Sequence, residues 1–174
     1  AVASVTTVNG QIASTVRLFK FNSEQPVAEI PLTGELVVAL RTGDGGLFYA
    51  VTDQGITAIT SGGKVEASYS FGGDPLAAFD CSGGKGIAVV LGDFKENRSL
   101  TAYVLDEKLK VKGSAVLNVR PELLRHDSKG VYFLADNKVY CYTNTMDLVD
   151  TVDTPDARCA YIQGNRLYYT TSKK

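Results

Sequence analysis

The chain has 174 residues, 44% of them apolar, and a formal net charge of −1, which suits one globular domain with a sizeable core. Its scattered Lys and Arg residues form no basic stripe, and this argues against nucleic acid as a main partner. No apolar run approaches the roughly 20 residues of a membrane span, and no signal peptide is visible at the start. We therefore expect no membrane contact by this segment.

Short apolar runs alternate with turns rich in Gly, Asp, Ser and Asn along the whole chain, and the turns divide these runs into groups of four predicted strands, A to D. The first group has strands B, C and D, at 2–8, 14–19 and 27–30. Three complete groups follow, at 36–41, 47–52, 56–59 and 65–70, then 76–80, 86–91, 99–105 and 111–117, then 122–125, 131–135, 138–142 and 148–152. The last group has strands A and B, at 158–163 and 166–171. Helical periodicity is absent from the pattern.

One phrase, a Gly or Asn turn followed by a tight apolar strand, recurs at Leu47, Ile87, Val131 and Leu167, at intervals of 40, 44 and 36 residues. A period near forty built from short strands is typical of β-propeller blades. The sequence therefore predicts an all-β, propeller-like fold of about four blades of four-stranded antiparallel sheets. We expect one domain over 1–174, with blade pieces 1–33, 34–73, 74–118, 119–154 and 155–174. Inner A strands should be apolar on both sides, and outer D strands should alternate.

The two ends of the chain each carry a predicted B strand, whereas a ring closed in the usual way needs each strand once. This duplication favours a fragment cut from a larger propeller, and the first residue, Ala1, agrees with that interpretation. The alternative is a closed four-bladed ring with one redundant strand. Unpaired strand edges attract partners, so we expect the ends to pair, within one chain or by joining two chains as a homodimer.

Several stretches resemble a known group of proteins: 15–19 followed by 23–28, and 65–73 leading through 76–80 to 88–93. They resemble the C-terminal half of an uncharacterised family of bacterial WD40- or quinoprotein-like propeller proteins, found mostly in Gram-positive anaerobes. The resemblance implies an extracytoplasmic domain on the cell-surface side of a membrane-anchored parent protein, with the anchor outside this chain. It implies no site residues, and the chain has no Trp, so the WD dipeptide of well-known propellers is missing.

The residues that could carry chemistry are few. Cys81, Cys141 and Cys159 lack metal-ligand spacing and are interpreted as small buried apolar residues, with one disulfide as the alternative. The single histidine, His126, excludes a multi-His metal site and is interpreted as a turn residue between strands A and B. Acidic turn residues stand singly, and the Gly-rich stretches lack the Lys of a phosphate loop. We therefore expect no metal, no cofactor and no catalysis.

Surface recognition is the remaining possibility, because the B–C and D–A loops of a propeller share one face. On this chain that face would carry Asp53, Gln54, Asp74, Pro75, Phe94, Lys95, Arg98, Arg120, Pro121, Asp136, Asn137, Asp156 and Arg158. The predicted contact residues are Asp74, Phe94, Lys95, Arg98, Arg120 and Arg158. An aromatic residue with Arg on a loop is typical of interface anchors. The alternative is a solvated face on which Phe94 packs under its own loop.

The predicted function is therefore a non-catalytic scaffold that binds a protein or a cell-envelope ligand through its loops. One alternative is an enzyme whose active site lies on the propeller axis, where Arg41, Asp80, Arg125 and Gln163 are available. The other alternative is a purely structural spacer of the cell envelope.

Overall fold

The computed structural model describes residues 1–81, 86–93, 99–163 and 166–171. Within these ranges the regular elements are antiparallel β-strands and one short 3-10 turn, Asp44–Gly46. The strands form five sheets, three of which have four strands. The prediction of an all-β chain built from four-stranded antiparallel sheets is confirmed.

The sheets follow the chain in order, and each strand pairs with its sequence neighbour. The first sheet contains β1 (Val2–Val8), β2 (Gln11–Phe19) and β3 (Pro26–Thr33). The second contains β4 (Val37–Thr42), β5 (Leu47–Thr52), β6 (Gly55–Thr60) and β7 (Val65–Ser70). The third contains β8 (Leu76–Asp80), β9 (Ile87–Leu91), β10 (Leu100–Leu105) and β11 (Val111–Leu117). The fourth contains β12 (Leu123–His126), β13 (Val131–Ala135), β14 (Lys138–Tyr142) and β15 (Leu148–Asp153), and the fifth contains β16 (Ala157–Gln163) and β17 (Arg166–Thr171).

The chain divides into two compact units. Unit 1 comprises Ala1–Pro75 and Glu107–Lys110, and it contains the first and second sheets. Unit 2 comprises Leu76–Asp106 and Val111–Lys174, and it contains the strands of the third, fourth and fifth sheets. The single domain with five blade pieces stays a prediction.

The core of unit 1 lies between its two sheets. Val16 and Ile30 on the first sheet pack with Ala50 and Ile59 on the second, and all four are buried. Burial alternates along β2 and β3 because successive side chains of a strand point to opposite faces. The other face of the first sheet is more exposed, and there Arg17 Nε lies 2.9 Å from Glu29 Oε1.

Unit 2 has one core on each side of its fourth sheet. Val131 and Phe133 pack with Ala88 and Val104 of the third sheet, and the Phe133 ring meets Tyr142 edge-on at 5.4 Å. On the opposite side, side chains of the fourth sheet pack against the fifth; they include Leu134, Val139, Ala157, Ala160 and Leu167. Apolar faces of sheets thus stack directly on one another, as in propeller blades.

The turns between strands C and D share a left-handed backbone residue. The residue two positions before strand D has a left-handed backbone in three sheets: Gly63 (φ 86°), Leu109 (φ 58°) and Met146 (φ 66°). A left-handed Leu or Met is unusual, and both side chains are buried, which offsets the strain. Each of the corresponding C–D strand pairs also contains a register shift next to this turn.

The C–D turns of the second and fourth sheets approach the sheet that precedes them in the chain. In unit 2, a Cβ on Gly113 of β11 would overlap with backbone atoms of Thr145 in the fourth sheet's C–D turn, lying 2.6 Å from its Cα. In unit 1 the glycine is on the turn, because a Cβ on Gly63 would overlap with the Ala28 side chain of β3. Both contacts require at least one small residue.

The burial of the strands differs in part from expectation. The inner strand β4 has apolar residues on both sides, but it is not buried, since its residues are half-buried or exposed and Val38 is 50% exposed; it is an edge strand of its sheet. The most buried strands are the B strands β5, β9 and β13 and the C strand β6, each of which has neighbours on both sides. Burial alternates along the outer strand β7 as expected, but every residue of the outer strand β15 is exposed.

The cysteines also differ from expectation. Cys81 is buried, Cys141 is half-buried, and Cys159 is exposed with its Sγ 3.1 Å from Thr170 Oγ1. All three are free thiols, so the alternative of a disulfide is wrong. Burial raises the pKa of the Cys141 thiol, and nearby Asp150 acts in the same direction.

Candidate functional site

The B–C turns and D–A connections are here called the loop face. The B–C turns of the second and fourth sheets are joined to D–A connections by hydrogen bonds. In unit 1 the Phe71 N–H donates to Gln54 O at 2.9 Å, and the Asp53 N–H donates to Leu36 O at 3.0 Å. The Leu36 N–H donates back to Asp53 Oδ1 at 2.8 Å. Each D–A connection of unit 1 is thereby anchored to a B–C turn of the second sheet.

A buried hydroxyl stands behind this part of the loop face. Thr52 is fully buried, and its Oγ1 accepts the N–H of Gly55 at 2.9 Å. The same hydroxyl lies 2.7 Å from Glu35 Oε2 and donates a hydrogen bond to that carboxylate. Ser14, also buried, donates to Glu35 O at 2.8 Å and accepts the Val37 N–H at 3.1 Å. The buried hydroxyls of Thr52 and Ser14 therefore hold Glu35, and with it the connection between the first and second sheets. The sequence analysis did not identify Thr52, Glu35 or Ser14 as residues that support this face. The pattern Thr52-Asp53-Gln54-Gly55 does carry the signal of a polar turn.

Unit 2 repeats the arrangement. Asp136 and Asn137 form a two-residue turn with positive φ angles of 50° and 57°, as a tight hairpin between right-twisted strands requires. The Thr154 N–H of the D–A connection donates to Asn137 O at 2.7 Å. Both turn residues and Asp156 are exposed, so their side chains project from a fixed backbone into solvent.

The six predicted contact residues are placed only in part. Asp74 and Arg120 are exposed on D–A connections, and Asp74 donates its N–H to Phe71 O at 3.1 Å. These two residues belong to different units. Phe94, Lys95 and Arg98 lie outside the described residues, as does the side chain of Arg158. Their role in binding stays a prediction.

His126 is not the turn residue that the sequence suggested. It is the last residue of β12, and it is 2% exposed. Its N–H donates to Asp80 Oδ2 of the third sheet at 2.7 Å. Its ring Nε2 lies 3.0 Å from Asn144 Oδ1, while Asn144 Nδ2 donates to Ser128 O at 3.1 Å. The amide orientation makes Nε2 the donor, and it leaves the buried Nδ1 without a described partner.

The charge state of His126 follows from this surrounding. Burial lowers the pKa of His126 below its ordinary 6.5, while the Asn144 hydrogen bond and the charges of Asp80 and Asp127 act against this and Lys112 acts with it. The neutral imidazole thus serves as part of the packing between the third and fourth sheets. No nucleophile is hydrogen-bonded to it among the described residues, so a catalytic triad is not formed there.

The axis residues of the enzyme alternative are engaged in structural contacts. Asp80 accepts the His126 N–H, and Arg125 Nη1 donates to Leu124 O at 3.1 Å. Arg41 Nη1 donates to Leu40 O at 3.0 Å in the other unit, and the side chain of Gln163 lies outside the described residues. Across the described ranges no group of three or more His, Cys, Asp or Glu side chains could hold a metal ion. The described part of the chain likewise contains no helix with the length and apolar character needed to cross a membrane.

Comparison with solved structures supplies the fold type. The chain is similar to BamB from Moraxella catarrhalis, with a TM-score of 0.59 and 13% sequence identity over 95% of this chain and 57% of BamB. The fold is propeller-like. A protein of unknown function from Bacteroides caccae is also similar, with a TM-score of 0.48 and 15% identity over 87% of this chain and 57% of its own. The chain thus spans less than two thirds of either neighbour. No known protein family and no curated protein matches the sequence. At this identity the likeness to BamB shows a propeller scaffold and nothing about its ligands.

Proposed function

We propose that this propeller-like scaffold binds a protein partner through its loop face and catalyses no reaction. The observation that carries the proposal is the fixed backbone of that face, with exposed side chains on anchored loops. Exposed loops held by a rigid scaffold are where binding residues concentrate, and a fixed backbone lowers the entropy lost on binding. Asp74 and Arg120 remain proposed contact residues, together with Phe94, Lys95, Arg98 and Arg158.

The location and assembly are part of the same proposal. The family resemblance of the sequence supports a position outside the cytoplasm, in a parent protein anchored to the membrane of a Gram-positive bacterium. Within the described residues β1 pairs with β2 and β17 pairs with β16, so each of these strands has one neighbour. A second copy of the chain could add to such an edge, which supports a homodimer as one form of protein partner.

Site-specific photo-crosslinking in the source cell tests the proposal. A benzoyl-phenylalanine is placed at Gln54 or Asp136, one exposed loop-face residue in each unit. The matched controls are Ser61 and Ser128, exposed residues in turns at the opposite ends of the strands. We expect a discrete crosslinked protein from the loop-face positions only. Crosslinks of equal yield from the controls, or none from the loop face, would overturn the proposal. Light scattering and the mass of the crosslinked product separate a second copy from a different partner.

A further inference from the structure

The C–D turn of the first sheet exposes an aromatic side chain. Phe21 lies in the turn between β2 and β3 and is 96% exposed, more than any other large apolar side chain that the structure describes. Phe19 and Val27, at the base of the turn, are 38% and 45% exposed. These three residues together are here called the Phe21 tip. Exposed apolar residues in a group, unlike single ones, mark contact sites.

The turn that carries Phe21 is ordered by its own hydrogen bonds. The Ser23 N–H donates to Lys20 O at 3.2 Å, and the Ser23 hydroxyl donates to Gln25 O at 2.9 Å. Asn22 has a left-handed backbone with φ 61°, a conformation that Asn adopts more readily than most residues. The Phe21 ring is therefore presented on a fixed backbone, so that a contact made by the ring loses little backbone entropy.

The other C–D turns do not present an apolar side chain in this way. Leu109 and Met146, the left-handed residues of the third and fourth sheets' turns, are buried, and the second sheet has Gly63 at that position. The exposure of Phe21 is thus a property of its own turn and not of the repeat. Gly63 lies against Ala28, close to the base of the Phe21 turn, so the C–D turns of the first and second sheets share one end of unit 1.

The two ends of unit 1 differ in charge. At the loop face its connecting segments carry three carboxylates and neither Lys nor Arg: Glu35, Asp53 and Asp74. The turns at the opposite end carry both signs: Lys20, Glu24, Asp44, Lys64 and the segment Glu107–Lys110, which contains two Lys and one Glu. Lys64 also lies 3.5 Å from Glu66 of β7, and Lys20 adjoins Phe21 in the chain. An anionic surface is therefore repelled by the loop face of unit 1 and accepted at the end that carries the Phe21 tip.

The shape of the Phe21 tip favours a lipid surface over a second protein. A stable protein interface buries about 800 Å² on each side, whereas the tip is three apolar residues on a narrow turn flanked by Lys20 and Glu24. A protruding aromatic ring with a neighbouring Lys suits the bilayer interface, where the ring lies among the headgroups and the ammonium group pairs with anionic lipid phosphates. The expectation of no membrane contact rested on the absence of a spanning segment, and an interfacial contact needs no span.

We propose that the Phe21 tip is a peripheral membrane contact, which inserts the Phe21 ring into the headgroup region of a bilayer that contains anionic lipid. Lys20 would pair with the lipid phosphates, and Phe19 and Val27 would rest on the surface. The tip lies at the opposite end of the strands from the loop face, so this contact is additional to the protein site proposed above and does not depend on it. One ring and a few cations bind weakly, and an anchor in the same parent protein would strengthen the contact by raising its local concentration.

The test uses the whole chain and vesicles of phosphatidylcholine with about 30% phosphatidylglycerol, compared with vesicles of phosphatidylcholine alone. Because the chain has no Trp, Phe21→Trp makes a single fluorescent reporter at the tip. We expect its emission to move to shorter wavelength with the anionic vesicles and to be quenched by brominated lipid. The affinity should fall by about fivefold or more with neutral vesicles and in high salt. The matched control is Ile12→Trp, because Ile12 is an exposed apolar residue at the loop-face end of β2 and its emission should not change.

Cosedimentation with the same vesicles tests the chain without a reporter. Phe21→Ser should lower the bound fraction by about fivefold or more, whereas Val116→Ser, which removes an exposed apolar side chain from β11, should leave it unchanged. Far-UV circular dichroism verifies that both variants fold.

The proposal is wrong if the emission of Phe21→Trp does not move, if that of Ile12→Trp moves equally, or if Phe21→Ser binds vesicles as the parent does. It is also wrong if light scattering without vesicles shows that Phe21→Ser separates a dimer, because the tip is then a contact between copies. The crosslinks from the loop face are measured at other residues, so either proposal can fail while the other stands.

Discussion

The contact between Gly113 and Thr145 predicts that Gly113→Ala destabilises unit 2. The added Cβ would overlap with the Thr145 carbonyl and lie 2.6 Å from its Cα. Carbon atoms pack at about 3.5 to 4.0 Å, so the third sheet and the fourth sheet's C–D turn must separate by about 1 Å. The obstacle is backbone on both sides and no side chain can turn away, so the strain spreads into the sheet packing.

The magnitude follows from two opposing effects. Overpacking of this kind costs about 1 to 3 kcal/mol. Replacing Gly by Ala in a strand returns about 0.5 to 1 kcal/mol, because Gly loses more backbone freedom on folding. The difference lies between about 0 and 2.5 kcal/mol, and because the obstacle is backbone on both sides we expect the free energy of unfolding to fall by about 1 to 2 kcal/mol. In a protein of this size the midpoint of thermal unfolding should fall by about 2 to 8 °C.

Thermal unfolding can be followed by far-UV circular dichroism and by tyrosine fluorescence, since the chain has nine Tyr and no Trp. The matched control is Gly62→Ala in an exposed turn, where the nearest atom to an added Cβ is Thr60 Oγ1 at 3.9 Å. The control should change the free energy of unfolding by less than about 0.5 kcal/mol. If Gly113→Ala is as stable as the parent while its amide spectrum is unchanged, the steric reasoning is refuted.

Three further predictions concern polar groups. Because the pKa of His126 is lowered on folding, the unfolded chain binds a proton first as the pH falls, so the free energy of unfolding should decline below pH 6.5. Urea titrations from neutral to mildly acidic pH measure this decline, and His126→Gln should flatten it. An equally steep decline in His126→Gln would contradict the prediction. Thr52→Val leaves the buried Gly55 N–H without its acceptor and should lower the free energy of unfolding by about 1 to 3 kcal/mol. Thr60→Val, at a partly exposed site, is its control, and equal losses would rule out the buried hydroxyl as the cause. Removing the Arg17–Glu29 ion pair should lower the free energy of unfolding by less than about 1 kcal/mol, and by less still in high salt, because both side chains are exposed. A double-mutant cycle at two salt concentrations measures this coupling.

Strand positions could be predicted because their signals are local. β5, β7 and β13 begin and end at the predicted residues, since turn-forming residues bound each apolar run. The predicted turn at Asp136 and Asn137 is also set by its own two residues. Such features depend on the chemistry of a few adjacent positions and are readable without knowledge of the fold.

The environment of His126 could not be predicted in the same way. Its ring partner is 18 residues away and its backbone partner 46 residues away, so its burial depends on how two sheets stack. Sequence patterns identify which side chains are available, whereas packing decides which of them meet.

The reach of the second and fourth sheets' C–D turns toward the preceding sheet has a consequence for how such a chain can be rearranged. Gly63 has no room for a Cβ because Ala28 of the preceding sheet lies against it, and Gly113 has none because of Thr145 in the sheet after it. A duplication or chimera joined at a D–A connection separates both pairs and brings mismatched residues into contact. The exchangeable module of this repeat therefore runs from one D strand to the next C–D turn, across the border between blades.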